Sequence, residues 1–169
     1  MDISKKLYEL YAEFGIASEK AQLLEVDAGN VALSYFALFI KPDAITPEIT
    51  DFFIKIINDI NKKTFGQLLK IIRTQMSIDK FIEVTITNAL DKRNYLSHHF
   101  FRTHNFAINN ELGRDEMILE LKEIQNILDE AHNMLYAMGC CLEKIAGRSP
   151  EQALEIAKSL QAKGKRIKI

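Results

Sequence analysis

The sequence is poor in the residues that interrupt helices. Its 169 residues include 7 glycines, 3 prolines and no tryptophan. Glycine and proline together make up about 6% of the chain, where about 12% is average. So few turn-forming residues leave little room for β-hairpins. With 47% hydrophobic and 27% charged residues, the chain falls in the range of globular domains, which excludes the fibrous and disordered classes.

Cysteines and long apolar runs are also scarce. The two cysteines, Cys140 and Cys141, are adjacent. Because neighbouring cysteines rarely reach disulfide geometry with each other, we expect no secreted disulfide framework. The longest near-apolar run, from Val31 to Ile40, is interrupted by Ser34 and is too short to cross a bilayer. The charged first residues do not have the pattern of a signal core. We therefore expect a cytoplasmic protein with no membrane partner.

An excess of positive charge is absent as well. The chain has 22 Lys and Arg against 23 Asp and Glu, which gives a net charge of -1. A protein held on nucleic acid mainly by phosphate neutralisation carries a broadly basic surface. Any chemistry on RNA or DNA must therefore be local to a few side chains.

Apolar residues at helical spacing dominate the chain. Two stripes with alternating steps of three and four residues predict two long helices. They are Ala17, Ala21, Leu24, Ala28, Val31, Tyr35 and Leu38 in the first third, and Leu121, Ile124, Leu128, Ala131, Leu135, Met138, Leu142 and Ile145 near the end. The stripes either face each other inside one subunit, which is the interpretation we favour, or form the seam of a coiled-coil dimer.

No alternating strand pattern stands beside these helices. We therefore predict an all-α fold, a mainly antiparallel up-and-down bundle of about five to six helices. The bundle is expected to be a single domain over 1–162, followed by a short basic tail at 163–169.

Capping residues predict where the remaining helices begin and end. A side-chain oxygen before the first turn accepts an unpaired backbone N–H, and proline fits the first helical position. The predicted starts are Thr46-Pro47, Thr64 with Gln67 as a capping box, Ser77, and Ser149-Pro150. The predicted ends are Pro42, Asn61 and Gly147, with a loop over 105–113 and a last helix to about residue 161.

One segment near the end of a predicted helix concentrates side chains that can do chemistry. Asn94 and His98 lie one turn apart on the polar side of this helix, with Arg93 on the flank. A histidine can move a proton at neutral pH, and an arginine offers a fixed fork of donors to phosphate oxygens. Metal-free RNA cleavage needs these two roles, proton transfer and stabilisation of the charged transition state. The apolar side of the same helix is predicted at Phe81, Ile82, Ala89, Leu96 and Phe100.

The motif R-N-x-x-x-H formed by Arg93, Asn94 and His98 resembles that of the HEPN superfamily, the higher eukaryotes and prokaryotes nucleotide-binding domain. The resemblance implies an HEPN-like bundle that acts as a metal-independent endoribonuclease, without cofactor or metal. It assigns proton transfer to His98, transition-state stabilisation to Arg93, and positioning of substrate or of His98 to Asn94.

The resemblance also implies partners. Members of this family often act as the toxin of a toxin–antitoxin or defence pair, with the site assembled across a homodimer. RNA is then the substrate and an antitoxin protein is a further partner. Phe100 stands where one branch of the family has a tyrosine that a nucleotidyltransferase antitoxin modifies. Because phenylalanine has no hydroxyl to modify, the chain is expected to belong to another branch.

Other interpretations of these residues stay open. Arg93 has a structural alternative, an ion pair with an acid such as Glu25 or Asp27. A non-catalytic HEPN-like module that binds RNA, a nucleotide or a protein would keep the bundle without the chemistry.

The remaining histidines receive no catalytic role. His99 is predicted to point toward the apolar face, and His104 and His132 are given no function. The histidines at 98, 99 and 104 lack the spacing and the companion ligands that a metal site needs.

Overall fold

The computed structural model describes residues 5–39, 46–147 and 149. Over these residues the chain forms six α-helices, one short 3-10 helix at Ala107–Asn109 and no strand, which confirms the predicted all-α helical bundle. The α-helices are α1 Lys5–Ala37, α2 Pro47–Ile60, α3 Phe65–Gln75, α4 Lys80–His98, α5 Phe100–Thr103 and α6 Glu111–Ile145. None of the helices in these ranges combines the length and apolar character needed to span a membrane.

The chain divides into two compact units. Among the described residues, the first unit consists of 5–26 and 76–134, and contains the start of α1, all of α4 and α5, and most of α6. The second consists of the described residues within 27–75 and 135–149, and contains the end of α1, α2, α3 and the end of α6. The expectation of one domain over 1–162 stays a prediction.

Helix directions in the first unit follow from its contacts. Glu25 of α1 contacts Arg93 of α4, and Phe14 of α1 contacts Phe100 of α5, so the chain from α4 to α5 runs antiparallel to α1. Ion pairs join Lys6 of α1 to Asp115 of α6 and Lys20 to Asp129. Contacts that advance together along both helices require α1 and α6 to be parallel. The three long helices of this unit, α1, α4 and α6, therefore alternate in direction.

The two predicted apolar stripes are largely buried within one chain. The residues that are at most 7% exposed are Ala17, Ala21, Leu24, Ala28 and Val31 on α1, and Leu121, Ile124, Leu128, Ala131, Leu135 and Leu142 on α6. Their burial supports packing inside the subunit. The stripe prediction is wrong at Ile145, the last residue of α6, which is 73% exposed.

Local caps explain several helix boundaries. α2 begins at Pro47 after Thr46, as predicted. A hydrogen bond from Thr46 lowers the pKa of the Glu48 carboxyl in the first turn. The backbone N–H of Thr64 donates to Gln67 Oε1 at 2.9 Å, which is the contact expected of the Gln in a capping box.

Two boundaries differ from the prediction. α4 is capped by Asp79, whose Oδ1 accepts the N–H of Phe81 at 2.7 Å, and not by Ser77. An ionised carboxylate is a stronger acceptor than a hydroxyl, and it stands nearer the first turn. The predicted loop over 105–113 ends early, because Asn110 Oδ1 accepts the N–H of Gly113 at 2.8 Å and starts α6 at Glu111.

Gly147 follows the end of α6, as predicted. Its backbone has φ of 71°, a left-handed conformation that glycine adopts without steric cost. α1 ends at Ala37, before the helix end predicted at 41–43. The residues 41–43, the last helix predicted over 150–161 and the basic tail at 163–169 lie outside the described residues.

Candidate functional site

The candidate site lies at the C-terminal end of α4. The opposite face of this helix holds it in the first unit through four buried residues, Thr85, Ile86, Ala89 and Leu96. Asn94 and His98 are both exposed and one turn apart, as the spacing predicts. The structure thus places these two polar side chains together at the protein surface.

The predicted apolar face of α4 needs one correction. Ala89, Leu96 and Phe100 are buried, but Phe81 is 65% exposed. At about 100° per residue, Phe81 lies about 80° from Ala89 and so at the edge of the buried face. His99 lies at the same edge and is exposed, so its predicted orientation toward the apolar side is wrong.

Arg93 is anchored to α1 by a carboxylate. Its Nη2 donates to Glu25 Oε1 at 2.5 Å, and the two side chains are 24% and 29% exposed. Its Nη1 donates to Asn94 Oδ1 at 3.2 Å. The ion pair with Glu25 that the sequence left as an alternative is therefore present. Because both contacts fix the guanidinium plane, Arg93 and Asn94 form a preorganised pair.

His98 and His99 stand side by side at the helix end. Their ring centroids are 6.3 Å apart, and both side chains are exposed. His99 caps α4 through its backbone N–H, which donates to Tyr95 O at 2.8 Å. The two imidazoles give this end of the helix two groups able to exchange protons with a bound molecule.

His104, Glu120 and Tyr95 form a network of contacts at this helix end that the sequence did not predict. His104 Nε2 lies 2.6 Å from Glu120 Oε2 of α6 and 3.3 Å from the hydroxyl oxygen of Tyr95 on α4. Burial, together with the neighbouring Glu120 carboxylate, raises the pKa of the Tyr95 phenol. No sequence pattern joins these three residues, because they lie 9 and 16 positions apart and meet only through the turn after α5.

Phe100 is a further residue that packs at the C-terminal end of α4. It is fully buried, and its ring centroid lies 5.6 Å from that of Phe14 and 4.9 Å from that of His104. The Phe101 ring packs against that of Phe14 in a tilted arrangement, with the ring centroids 4.7 Å apart. The position at which one HEPN branch has a modifiable tyrosine is therefore occupied here by a core residue.

The arrangement provides an exposed imidazole, an amide and an oriented guanidinium at one helix end. Across the described part of the chain, no group of three His, Cys, Asp or Glu side chains is placed to hold a metal ion. Cys140 and Cys141 are free thiols on α6.

No family model, curated protein or solved structure matches the chain. The suggested membership of the HEPN superfamily therefore rests on the motif at Arg93, Asn94 and His98 and on the all-α fold.

Proposed function

We propose that the protein is an HEPN-like, metal-independent endoribonuclease whose site is the C-terminal end of α4. The observation that carries the proposal is the exposure of His98 beside Asn94, next to an arginine with a fixed orientation. A catalytic histidine must reach solvent-borne substrate, and a phosphate-binding arginine gains from being held in place. Both conditions are met by the motif residues themselves.

The chemistry assigned to His98 is proton transfer. As a base its neutral imidazole takes the proton of the ribose 2′-hydroxyl, whose oxygen attacks the adjacent phosphorus. The bond from phosphorus to the 5′-oxygen breaks, and that oxygen takes up a proton. The products are a 2′,3′-cyclic phosphate and a 5′-hydroxyl. Proton transfer of this kind contributes about 10² to 10⁴ in rate.

Arg93 is assigned to the charge that develops on the phosphate oxygens. A guanidinium has five N–H donors. One is used by Glu25 and one by Asn94, and the others can bind phosphate. Asn94 holds the guanidinium through its Oδ1, and its amide N–H₂ can donate to substrate.

A homodimer completes this proposal. Cleavage uses one group to accept a proton and one to donate it, and a two-fold axis at the end of α4 supplies a second His98. An antitoxin protein as a further partner and a cytoplasmic location belong to the same proposal, because they follow from the family resemblance.

A second candidate function is a non-catalytic module that binds RNA, a nucleotide or a protein. The ion pair with Glu25 favours it, since a carboxylate 2.5 Å from Arg93 offsets part of the positive charge that a transition state would use. In that case Arg93 serves mainly to join α4 to α1.

RNA cleavage in excess chelator separates the two candidates. The samples are the wild-type protein, His98→Ala, Arg93→Ala and the matched control His99→Ala, which removes the neighbouring exposed imidazole. We expect the first two substitutions to reduce the rate by at least about 100-fold, and the control to stay within about threefold of the wild type. RNA binding without cleavage in every sample would favour the second candidate. Equal cleavage by all four proteins would contradict the assigned roles.

A further inference from the structure

The second unit contains a surface cleft that the proposed chemistry does not use. Its volume is about 410 Å³, within the range of small-molecule sites, about 300 to 1,000 Å³. It is lined by Phe36 of α1 and by residues of α3 and the turn before it, namely Lys63, Gln67, Lys70, Ile71, Thr74 and Gln75.

The amphipathic character of α3 produces this cleft. Phe65, Leu68, Leu69 and Ile72 are buried and hold the helix in its unit. The cleft residues Gln67, Lys70 and Thr74 follow steps of three and four on the other side and are exposed. Polar side chains therefore line the cleft on one face of α3, while the buried residues of its opposite face hold the helix in place.

The charged residues that line the cleft, Lys63 and Lys70, are both basic. Between Asp59 and Asp79 the sequence contains four basic residues and no Asp or Glu; they are Lys62, Lys63, Lys70 and Arg73. Lys63 and Lys70 make no ion pair with any residue that the structure describes. In a chain whose net charge is -1, this segment is a local positive region.

Three side chains of the cleft, Lys63, Gln67 and Lys70, have N–H donors for a ligand, whereas the Thr74 hydroxyl donates to Lys70 O at 2.7 Å. Gln67 Oε1 already accepts the N–H of Thr64, which turns the amide Nε2 toward other acceptors. Together with the two ammonium groups, it offers hydrogen bonds suited to phosphate oxygens. Phe36 and Ile71 add an apolar wall, and the Phe36 ring belongs to an aromatic group in which Tyr35 contacts Phe36 at 5.9 Å and Phe39 at 5.4 Å.

We propose that this α3 cleft binds a nucleotide unit of single-stranded RNA, with the phosphate on Lys63 and Lys70 and the base against Phe36. Cationic side chains that follow the backbone, beside an aromatic ring on which a base stacks, are the usual means of holding single strands. The choice of RNA over another polyanion rests on the proposed ribonuclease function. The binding itself does not require cleavage.

Fluorescence anisotropy with a 5′-labelled ten-nucleotide oligouridylate tests the proposal. The full-length His98→Ala protein serves as the background, so that the probe stays intact and binding is read separately from cleavage. Three variants are compared: Lys63→Gln with Lys70→Gln, Phe36→Leu, and the matched control Lys55→Gln with Lys144→Gln. The control removes two exposed charges of the same unit that do not line the cleft. Circular dichroism and Tm verify that each variant is folded.

We expect the cleft double variant to weaken binding by at least about tenfold and to make the slope of log affinity against log salt shallower by about 0.7, which corresponds to one phosphate contact on a single strand. Phe36→Leu is expected to weaken binding about fivefold without changing that slope. The control double variant should bind within about twofold of the background protein.

Several results would overturn the assignment. They are no binding by the background protein at low salt, an equal loss in the cleft and control variants, and no loss in either cleft variant. Uridine monophosphate that binds as tightly as the oligonucleotide would make a free nucleotide the ligand instead of RNA. If heparin bound with the same affinity as RNA, and Phe36→Leu did not change either affinity, the cleft would be a site for any polyanion and not for RNA.

Discussion

The two units use their positive charges differently. In the first, basic side chains join neighbouring helices, with Lys20 Nζ 2.5 Å from Asp129 Oδ1 and Arg93 Nη2 2.5 Å from Glu25 Oε1. In the second, Lys63 and Lys70 face the α3 cleft, and neither is paired with a carboxylate of the described residues. Although the net charge of the chain is close to zero, some of its positive side chains form ion pairs that join helices, and others remain available to a ligand.

The largest difference in stability is expected from two glycines of α6, one in each unit. A Cβ at Gly113 would lie 2.3 Å from the backbone oxygen of Ala107, whereas a Cβ at Gly139 would meet nothing within 4 Å. Gly113→Ala should lower the free energy of unfolding by about 1–3 kcal/mol through this clash. Gly139→Ala should raise it by about 0.5–1 kcal/mol, because alanine favours a helix interior. Urea denaturation measures both, and a Gly113→Ala protein as stable as the wild type would contradict the close packing at Gly113.

The ion pair at the candidate site should give the next largest effect. Glu25→Gln removes the charge that faces the partly buried guanidinium of Arg93, and should lower the free energy of unfolding by about 1–2 kcal/mol. Glu19→Gln is the matched control, since Glu19 is an exposed carboxylate on the same helix. If both substitutions have the same small effect in urea denaturation, Arg93 is not held by Glu25.

Lysine substitutions test the comparison of the units directly. Lys20→Gln breaks the pair with Asp129 and should lower the free energy of unfolding by about 0.5 kcal/mol. The double substitution Lys63→Gln with Lys70→Gln should leave it unchanged or slightly higher, because two like charges are removed and no ion pair with a described residue is lost. A clear loss of stability in the double variant would show that the cleft lysines support the fold.

The smallest effect concerns Tyr95 at alkaline pH. Burial raises the pKa of its phenol above the ordinary value of about 10, so the folded chain keeps this proton to higher pH than the unfolded chain. The corresponding stability is fully present below about pH 10 and is lost as the pH rises through the raised pKa. The Tm of the wild type should therefore fall more between about pH 9 and pH 11 than that of Tyr95→Phe. Tyr8→Phe, at an exposed position, should behave as the wild type, and parallel curves for Tyr95→Phe and the wild type would contradict the prediction.

The sequence predicted the features that depend on neighbours along the chain. The stripes of α1 and α6 follow from helical periodicity. The start of α2 at Pro47, the contact between Thr64 and Gln67, and the glycine after α6 depend on residues within three or four positions of each other. Asn94 and His98 were correctly placed on the exposed side for the same reason.

Features set by packing between distant segments were not predictable in this way. The sequence offered both Glu25 and Asp27 as partners for Arg93, and only the packing of α4 on α1 selects Glu25. The contact of His104 with Glu120 and Tyr95 depends on the turn after α5, so His104 appeared to have no role. A signal for the α3 cleft was present in the stretch without acids between residues 59 and 79, but the cleft itself requires Phe36 from another helix.

The central claim is that the exposed end of α4 carries out RNA cleavage through His98. The most direct test is the ratio of cleavage rates of His98→Ala and His99→Ala in excess chelator, with the terminal phosphate of the product identified. The account predicts that His99→Ala cleaves RNA at least about 30-fold faster than His98→Ala and leaves a 2′,3′-cyclic phosphate. Equal rates for the two variants, or a product with another end, would contradict it.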